Sequence, residues 1–237
     1  MSEISPLPGS DLARLVARRA RDDGARPFLR DIHSGRALTY AQLAGMVGRR
    51  GAALDAAGVP PRARVLIDLA DPIEFSAAYL GVIAAGRCAV PVNPQAPVAE
   101  LARISAAVRP AAVLGDRPGR ARPHCSGPGA VTCRAPSPGS VLLLTSGSTG
   151  APKAVELTEP RLLHVAFTVA RHNRLTAEDR GFSPLPLFHI NAEVVALLAT
   201  LTAGAELLLD RRFRRRGFWE AHAGHDVTWI NLVPAIM

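Results

Sequence analysis

The 237-residue chain is 48% hydrophobic, which is enough to bury a substantial core as one large or two small globular domains and excludes a chain that is disordered overall. Its formal net charge of +8 would suit a polyanionic partner, with residues 211–216 (RRFRRR) as the densest run, but arginine is spread through the whole sequence and lysine occurs once. Without a zinc-finger spacing or the aromatic platform of an RNA-binding sheet, that charge reads as biased composition and disfavours a nucleic-acid binder.

In chain order, residues 11–21 carry Leu12, Leu15 and Val16 at helical spacing, with arginines on the other face, and predict a surface helix. Thr39 opens a second helical segment through Leu43, Val47 and Leu54 that stops near Gly58 and the Pro60-Pro61 pair. Residues 64–70 read as a buried strand. Asp71 caps the helix that follows, with Pro72 in its first turn and Phe75, Ala78, Tyr79 and Val82 on one face, and residues 88–92 form the next strand. A helix over 98–108 and a strand over 111–114 extend this parallel α/β alternation.

Residues 115–139 are rich in glycine, proline and arginine without apolar periodicity, which predicts an exposed connector. The chain thus divides into a first α/β subdomain over 1–114, the connector over 115–139 and a second α/β subdomain over 140–237. In the second, residues 154–157 return as a strand and Thr158 caps a helix through Leu162 and Val169. His164 within that helix reads as structural, because no catalytic partner is apparent. Pro184 and Pro186 break regular structure and deliver Phe188 and His189 at a turn before another apolar helix. Strands over 205–209 and 227–231, with a helix over 213–222 between them, complete the reading.

The sequence is organised around LLLTSGSTGAPKAV, residues 142–155. A short apolar strand empties into a loop carrying Thr145, Ser146, Gly147, Ser148, Thr149 and Gly150, and closes on Lys153, the only lysine. Successive backbone N–H groups in such a turn form an anion-binding concavity, and a compact ammonium at its far end adds charge. A Walker P-loop is excluded, because Ala151 and Pro152 separate Gly150 from Lys153, and no GxSxG elbow surrounds Ser146 or Ser148. The residues by themselves leave a phosphate cradle and an ordinary polar turn both open.

TSGSTGAPKAV closely resembles the phosphate-binding signature of the AMP-forming acyl-CoA synthetases, in the adenylate-forming superfamily. LTYAQL near Thr39, YLGVIAAGRCAVPVNP over 79–94, PLPLFHIN and the closing TWINLVPAI extend the resemblance, in order, over nearly the whole chain. PLFHIN with AGAELLLDRRF and FWE is most similar to members that activate small or fatty carboxylic acids.

The resemblance implies an α/β fold of layered, mostly parallel sheets with flanking helices, an incomplete N-terminal domain of the adenylate-forming fold. It implies ATP, Mg2+ and CoA as ligands and a carboxylic acid as substrate. By motif match, Thr145, Ser146, Gly147, Ser148, Thr149, Gly150 and Lys153 would hold the triphosphate, with Lys153 and His189 in catalysis and Phe188 and His189 at the acyl pocket. Ala154 and Ala192 stand where glycine is common, and the connector is shorter than usual.

Family members continue through elements that hold adenine, ribose and magnesium and a mobile domain with a catalytic lysine. This sequence is therefore expected to be an N-terminal part, cut short or completed by a separate polypeptide, and inactive alone. The alternatives are a non-catalytic remnant or nucleotide-binding module, and a basic nucleic-acid binder. The N-terminus lacks the pattern of a secretory signal. The apolar stretch over 194–209 is broken by Thr200, Thr202 and Glu206, which argues against a membrane span. Cys88, Cys125 and Cys133 form no CxxC and cannot all pair, which suggests a reducing, cytoplasmic setting.

Overall fold

Two five-stranded sheets organise the chain, each with four parallel strands closed at one edge by an antiparallel one. The computed structural model describes residues 11–116, 136–145, 153–211, 213 and 215–234. The first sheet has the order β10-β8-β9-β1-β2, formed by β1 (Pro27–Asp31), β2 (Ala37–Thr39), β8 (Arg180–Ser183), β9 (Glu206–Leu209) and β10 (Trp229–Ile230). The second has the order β5-β3-β4-β6-β7, formed by β3 (Arg64–Asp68), β4 (Cys88–Pro91), β5 (Ala112–Gly115), β6 (Ser140–Thr145) and β7 (Lys153–Thr158). Each sheet therefore draws strands from both sides of the 115–139 segment. Most of that segment lies outside the described residues.

The helices follow from local chemistry. α1 (Asp11–Asp22) buries Leu12 and Val16. α2 (Tyr40–Ala56) starts with a capping box in which the Thr39 hydroxyl accepts from the Gln42 N–H while the Gln42 side chain accepts from the Thr39 N–H. At the head of α3 (Pro72–Ala84), the Asp71 carboxylate accepts from the N–H groups of Ile73 and Glu74. The apolar spacing suggests one buried face for α3, but the helix is buried on all sides, because it packs on β1 of one sheet and on β3 and β4 of the other. α4 (Val98–Val108) lies between β4 and β5 in sequence. Thr158 precedes α5 (Glu159–His172) in extended conformation but makes no side-chain cap; the Glu159 N–H donates instead to the Gly139 carbonyl at 2.8 Å.

β1 and β2 carry no clear sequence signal, since only Phe28 and Leu29 of β1 are apolar and buried together. Their placement is set by distant partners. Glu206 of β9 is held by Arg30 of β1 at 3.0 Å and Arg180 of β8 at 2.7 Å, a carboxylate bracketed by its two neighbouring strands. The buried Tyr40 hydroxyl donates to the Ala205 carbonyl at 2.7 Å and ties α2 to the start of β9.

The final elements are shorter than the periodicity suggests. α7 spans only Phe218–Ala223, because Gly217 at φ +76° cannot continue a right-handed helix, and β10 ends at Ile230. Between β8 and β9 the apolar helix is a π-helix over Asn191–Leu198 that tightens into α6 (Ala199–Ala203). Among the described residues, no helix is long and apolar enough to cross a membrane.

Candidate functional site

β6 runs parallel to β4 with Cys88 opposite Ser140, so its Thr145 end lies at the carboxyl edge of that sheet, where open α/β sheets bind ligands. Val141 and Leu142 are buried and anchor the strand. β7 returns antiparallel in unbroken register from Lys153 opposite Thr145 to Thr158 opposite Ser140. The hairpin therefore clamps both ends of the 146–152 segment, with Thr145 and Lys153 facing one another across its mouth. Ser146, Gly147, Ser148, Thr149 and Gly150 lie outside the described residues, as do the side chains of Thr145 and Lys153.

The second set of predicted residues follows β8 on the other sheet. Leu185 and Leu187 are buried, which orients the intervening turn; Phe188 is half-buried and His189 exposed. The His189 N–H donates to the Pro186 carbonyl at 3.1 Å, and the Phe188 and His189 rings meet at a centroid distance of 4.4 Å. Partial burial of the imidazole lowers its pKa from the ordinary 6.5, which favours the neutral ring that can donate at one nitrogen and accept at the other. Leu143 and Leu157 of the hairpin and Phe188 and Ile190 of this turn pack against one shared core cluster. His164 is exposed on α5.

Sequence reasoning missed what holds the turn. The Asn231 amide donates to the Asn191 side-chain oxygen at 2.7 Å, while the Asn231 N–H donates to the Phe182 carbonyl at 2.9 Å. The segment after β10 is thereby fastened to the residue two beyond His189. Glu193, the next polar side chain, is fully buried, and burial pushes its pKa to about 8 against a smaller opposing effect of the Tyr79 hydroxyl. An acid inside the apolar run NAEVVALL was the available signal.

A further polar cluster lies at the carboxyl edge of the same sheet. Burial opposes ionisation of Asp31, but the Ser34 hydroxyl, the Arg211 guanidinium and the His33 N–H outweigh it and hold the carboxyl below its ordinary value. His33 Nε2 lies 2.5 Å from an Asp210 oxygen. These groups satisfy one another and join the ends of β1 and β9. A cavity of about 260 Å³ opens at the opposite edge, by Arg26, Arg180 and Glu206, whose charges are already paired within the protein. It is remote in the sheet from the predicted residues, which follow the carboxyl ends of the strands.

Comparison with known proteins gives the family. The description "AMP-binding enzyme" matches residues 16–237. The chain belongs to the AMP-binding enzyme family. The sulfoacetate–CoA ligase of Cupriavidus necator is 32% identical over 95% of this chain and 50% of its own length. An isonitrile lipopeptide synthase of Streptomyces coeruleorubidus is 31% identical over 97% of this chain but only 17% of its own. Among solved structures, the inhibitor-bound N-terminal domain of FACL13 from Mycobacterium tuberculosis superposes with a TM-score of 0.78 at 22% identity, covering 96% of this chain and 64% of that one. O-succinylbenzoate CoA synthetase from Bacillus subtilis with its acyl-adenylate intermediate also gives 0.78, at 23% identity, covering 94% and 62%. The chain thus has the fold of adenylate-forming N-terminal domains and spans half the length of the ligase it matches.

Proposed function

We propose that the chain is the phosphate-gripping portion of an ATP-dependent, AMP-forming carboxylate–CoA ligase. The observation that carries this reading is the β6–β7 register, which sets Lys153 across from Thr145 at the carboxyl edge of a mostly parallel sheet and clamps a glycine- and hydroxyl-rich loop between them. In the reaction, a carboxylate oxygen attacks the α-phosphorus of ATP and the bond to pyrophosphate breaks, giving acyl-AMP. The thiol of CoA then displaces AMP. Charge builds on the phosphate oxygens during the first step, so loop amides, hydroxyls and the Lys153 ammonium that engage them would lower the barrier. His189 and Phe188 form the acyl side, with the neutral imidazole as a hydrogen-bonding group rather than a fixed charge.

Among the described residues, no three His, Cys, Asp or Glu side chains converge to hold a metal ion. Magnesium would arrive on the phosphates of ATP, as that ion often does. Because the chain spans half of its ligase relative, we assign it the grip and the acyl-side turn, with a separate polypeptide or further sequence supplying the rest.

Calorimetry with magnesium–ATP on the chain and its Lys153→Ala variant tests the grip: the reading expects heat from the first and none from the second. Equal heats from both would overturn it. The second reading, a nucleotide-binding module without turnover, draws on the same half-length match. Carboxylate-dependent exchange of pyrophosphate into ATP by the chain alone would rule it out.

A further inference from the structure

The polar pair where the π-helix begins plays no part in the proposed reaction. Glu193 has no exposed surface, and its carboxyl oxygens make no hydrogen bond of good geometry, the Tyr79 hydroxyl being the one group that reaches them. The Tyr79 hydroxyl on α3 is likewise buried and without a full hydrogen bond, although the two groups lie close enough to perturb one another. A buried polar group without a partner carries a desolvation cost, so its place in an otherwise apolar helix calls for a reason.

Two features supply one. The Glu193 backbone N–H donates to the His189 carbonyl at 3.2 Å, so Glu193 stands one helical turn beyond His189. From there the chain winds as a π-helix, a rare geometry that occurs frequently at functional sites. Rewinding it with i→i+4 bonds would change the direction of every side chain relative to the core. Tyr79 belongs to α3, which packs on β1 of one sheet and on β3 and β4 of the hairpin's sheet, so the interaction of its hydroxyl with Glu193 couples the π-helix to that helix.

We propose that Glu193 is a positioning residue for His189: its side chain, sunk against Tyr79, holds the π winding in register and fixes how the turn presents the imidazole. The proposal rests on the reading of His189 as an acyl-side group. Among the described residues, Tyr79 is the one side chain whose charge or hydrogen bonding acts on Glu193, and Glu193 and Cys88 are those that act on Tyr79. α5, α6 and β8 also pack on the π-helix, and no titratable group on them acts on the pair.

The test follows the histidine ring resonances of this chain by proton NMR without nucleotide or acyl substrate, so a failed ligase assay would leave it untouched. His189 is assigned by the signal lost in His189→Gln. In Glu193→Leu the His189 titration should rise toward the ordinary imidazole value as the turn loosens into water, with the other histidines unchanged. Glu193→Gln, neutral and of the same size, should keep the native value. A folded Leu variant with native His189 titration would overturn the proposal. Should that variant not fold, the native chain decides: raising the pH through about 8, where Glu193 ionises, should give a second inflection in the His189 signal that Glu193→Gln lacks. A single inflection in both proteins would overturn it equally.

Discussion

Thr145 and Lys153 face one another as the last register pair of the β6–β7 hairpin. The strand pair fixes the distance between the loop ends whatever the loop holds, so removing the lysine side chain should not disturb the fold. Lys153→Ala should retain the far-ultraviolet circular dichroism of the parent while losing calorimetric heat with magnesium–ATP. Lys153→Arg should restore little of it, because a planar guanidinium on a longer stem replaces a compact, rotatable ammonium. Full recovery by arginine would mean that generic positive charge suffices.

The hairpin, α2, α3 and α4 were legible because their signals are local: apolar runs, the Thr39 and Asp71 caps, and breaks at glycine and proline. β1 was not, since Pro27–Asp31 becomes a strand through pairing with β9 far along the chain. The one-face reading of α3 failed because period alone does not reveal a helix enclosed between two sheets. At the candidate site, the order Phe188-His189 and the turn around it were readable from the two prolines. The Asn191–Asn231 hydrogen bond and the Tyr79–Glu193 contact were not, because each joins residues distant in sequence.

Gly139 enters β6 at φ +61°, and a Cβ there would stand 2.5 Å from a Glu159 side-chain oxygen and 3.0 Å from the Ile83 carbonyl oxygen. That Glu159 carboxylate already accepts from the Leu12 N–H at 2.5 Å, so it is not free to retreat without loosening α1. Gly139→Ala should therefore destabilise the chain by about 1–3 kcal/mol, from backbone strain and the clash together. Urea unfolding of both proteins measures it; an unchanged midpoint would show that the entry to β6 relaxes easily.

Tyr40→Phe removes the hydroxyl that donates to the Ala205 carbonyl inside the core. The aromatic packing against Phe28, at a centroid distance of 4.9 Å, should survive, which isolates the hydrogen bond. The expected loss is about 1–2 kcal/mol, since the carbonyl is left buried without its side-chain donor. Thermal unfolding should show a lower midpoint, and a midpoint equal to the parent's would mean that the carbonyl finds another donor.

Glu193 makes the stability of the chain depend on pH in a direction opposite to that of an ordinary salt-bridged carboxylate. Burial raises its folded-state pKa from 4.5 to about 8, while the unfolded chain ionises near the ordinary value. Below both values the two states carry the proton alike and the contribution is complete. Between them the unfolded state gives up its proton and the folded state does not, so stability falls as pH rises through that window and levels off above about 8. The lowered value of His189 acts the other way, favouring the folded state as pH rises to 6.5, and is silent above that range. Glu193→Gln keeps the shape of the side chain without a proton to lose. Its stability advantage over the parent should accordingly grow from mildly acidic pH to about pH 9, by on the order of 3 kcal/mol. Denaturation curves at several pH values give the slope directly. Parallel pH profiles for parent and variant would mean that Glu193 meets water or a partner in the folded chain and titrates normally.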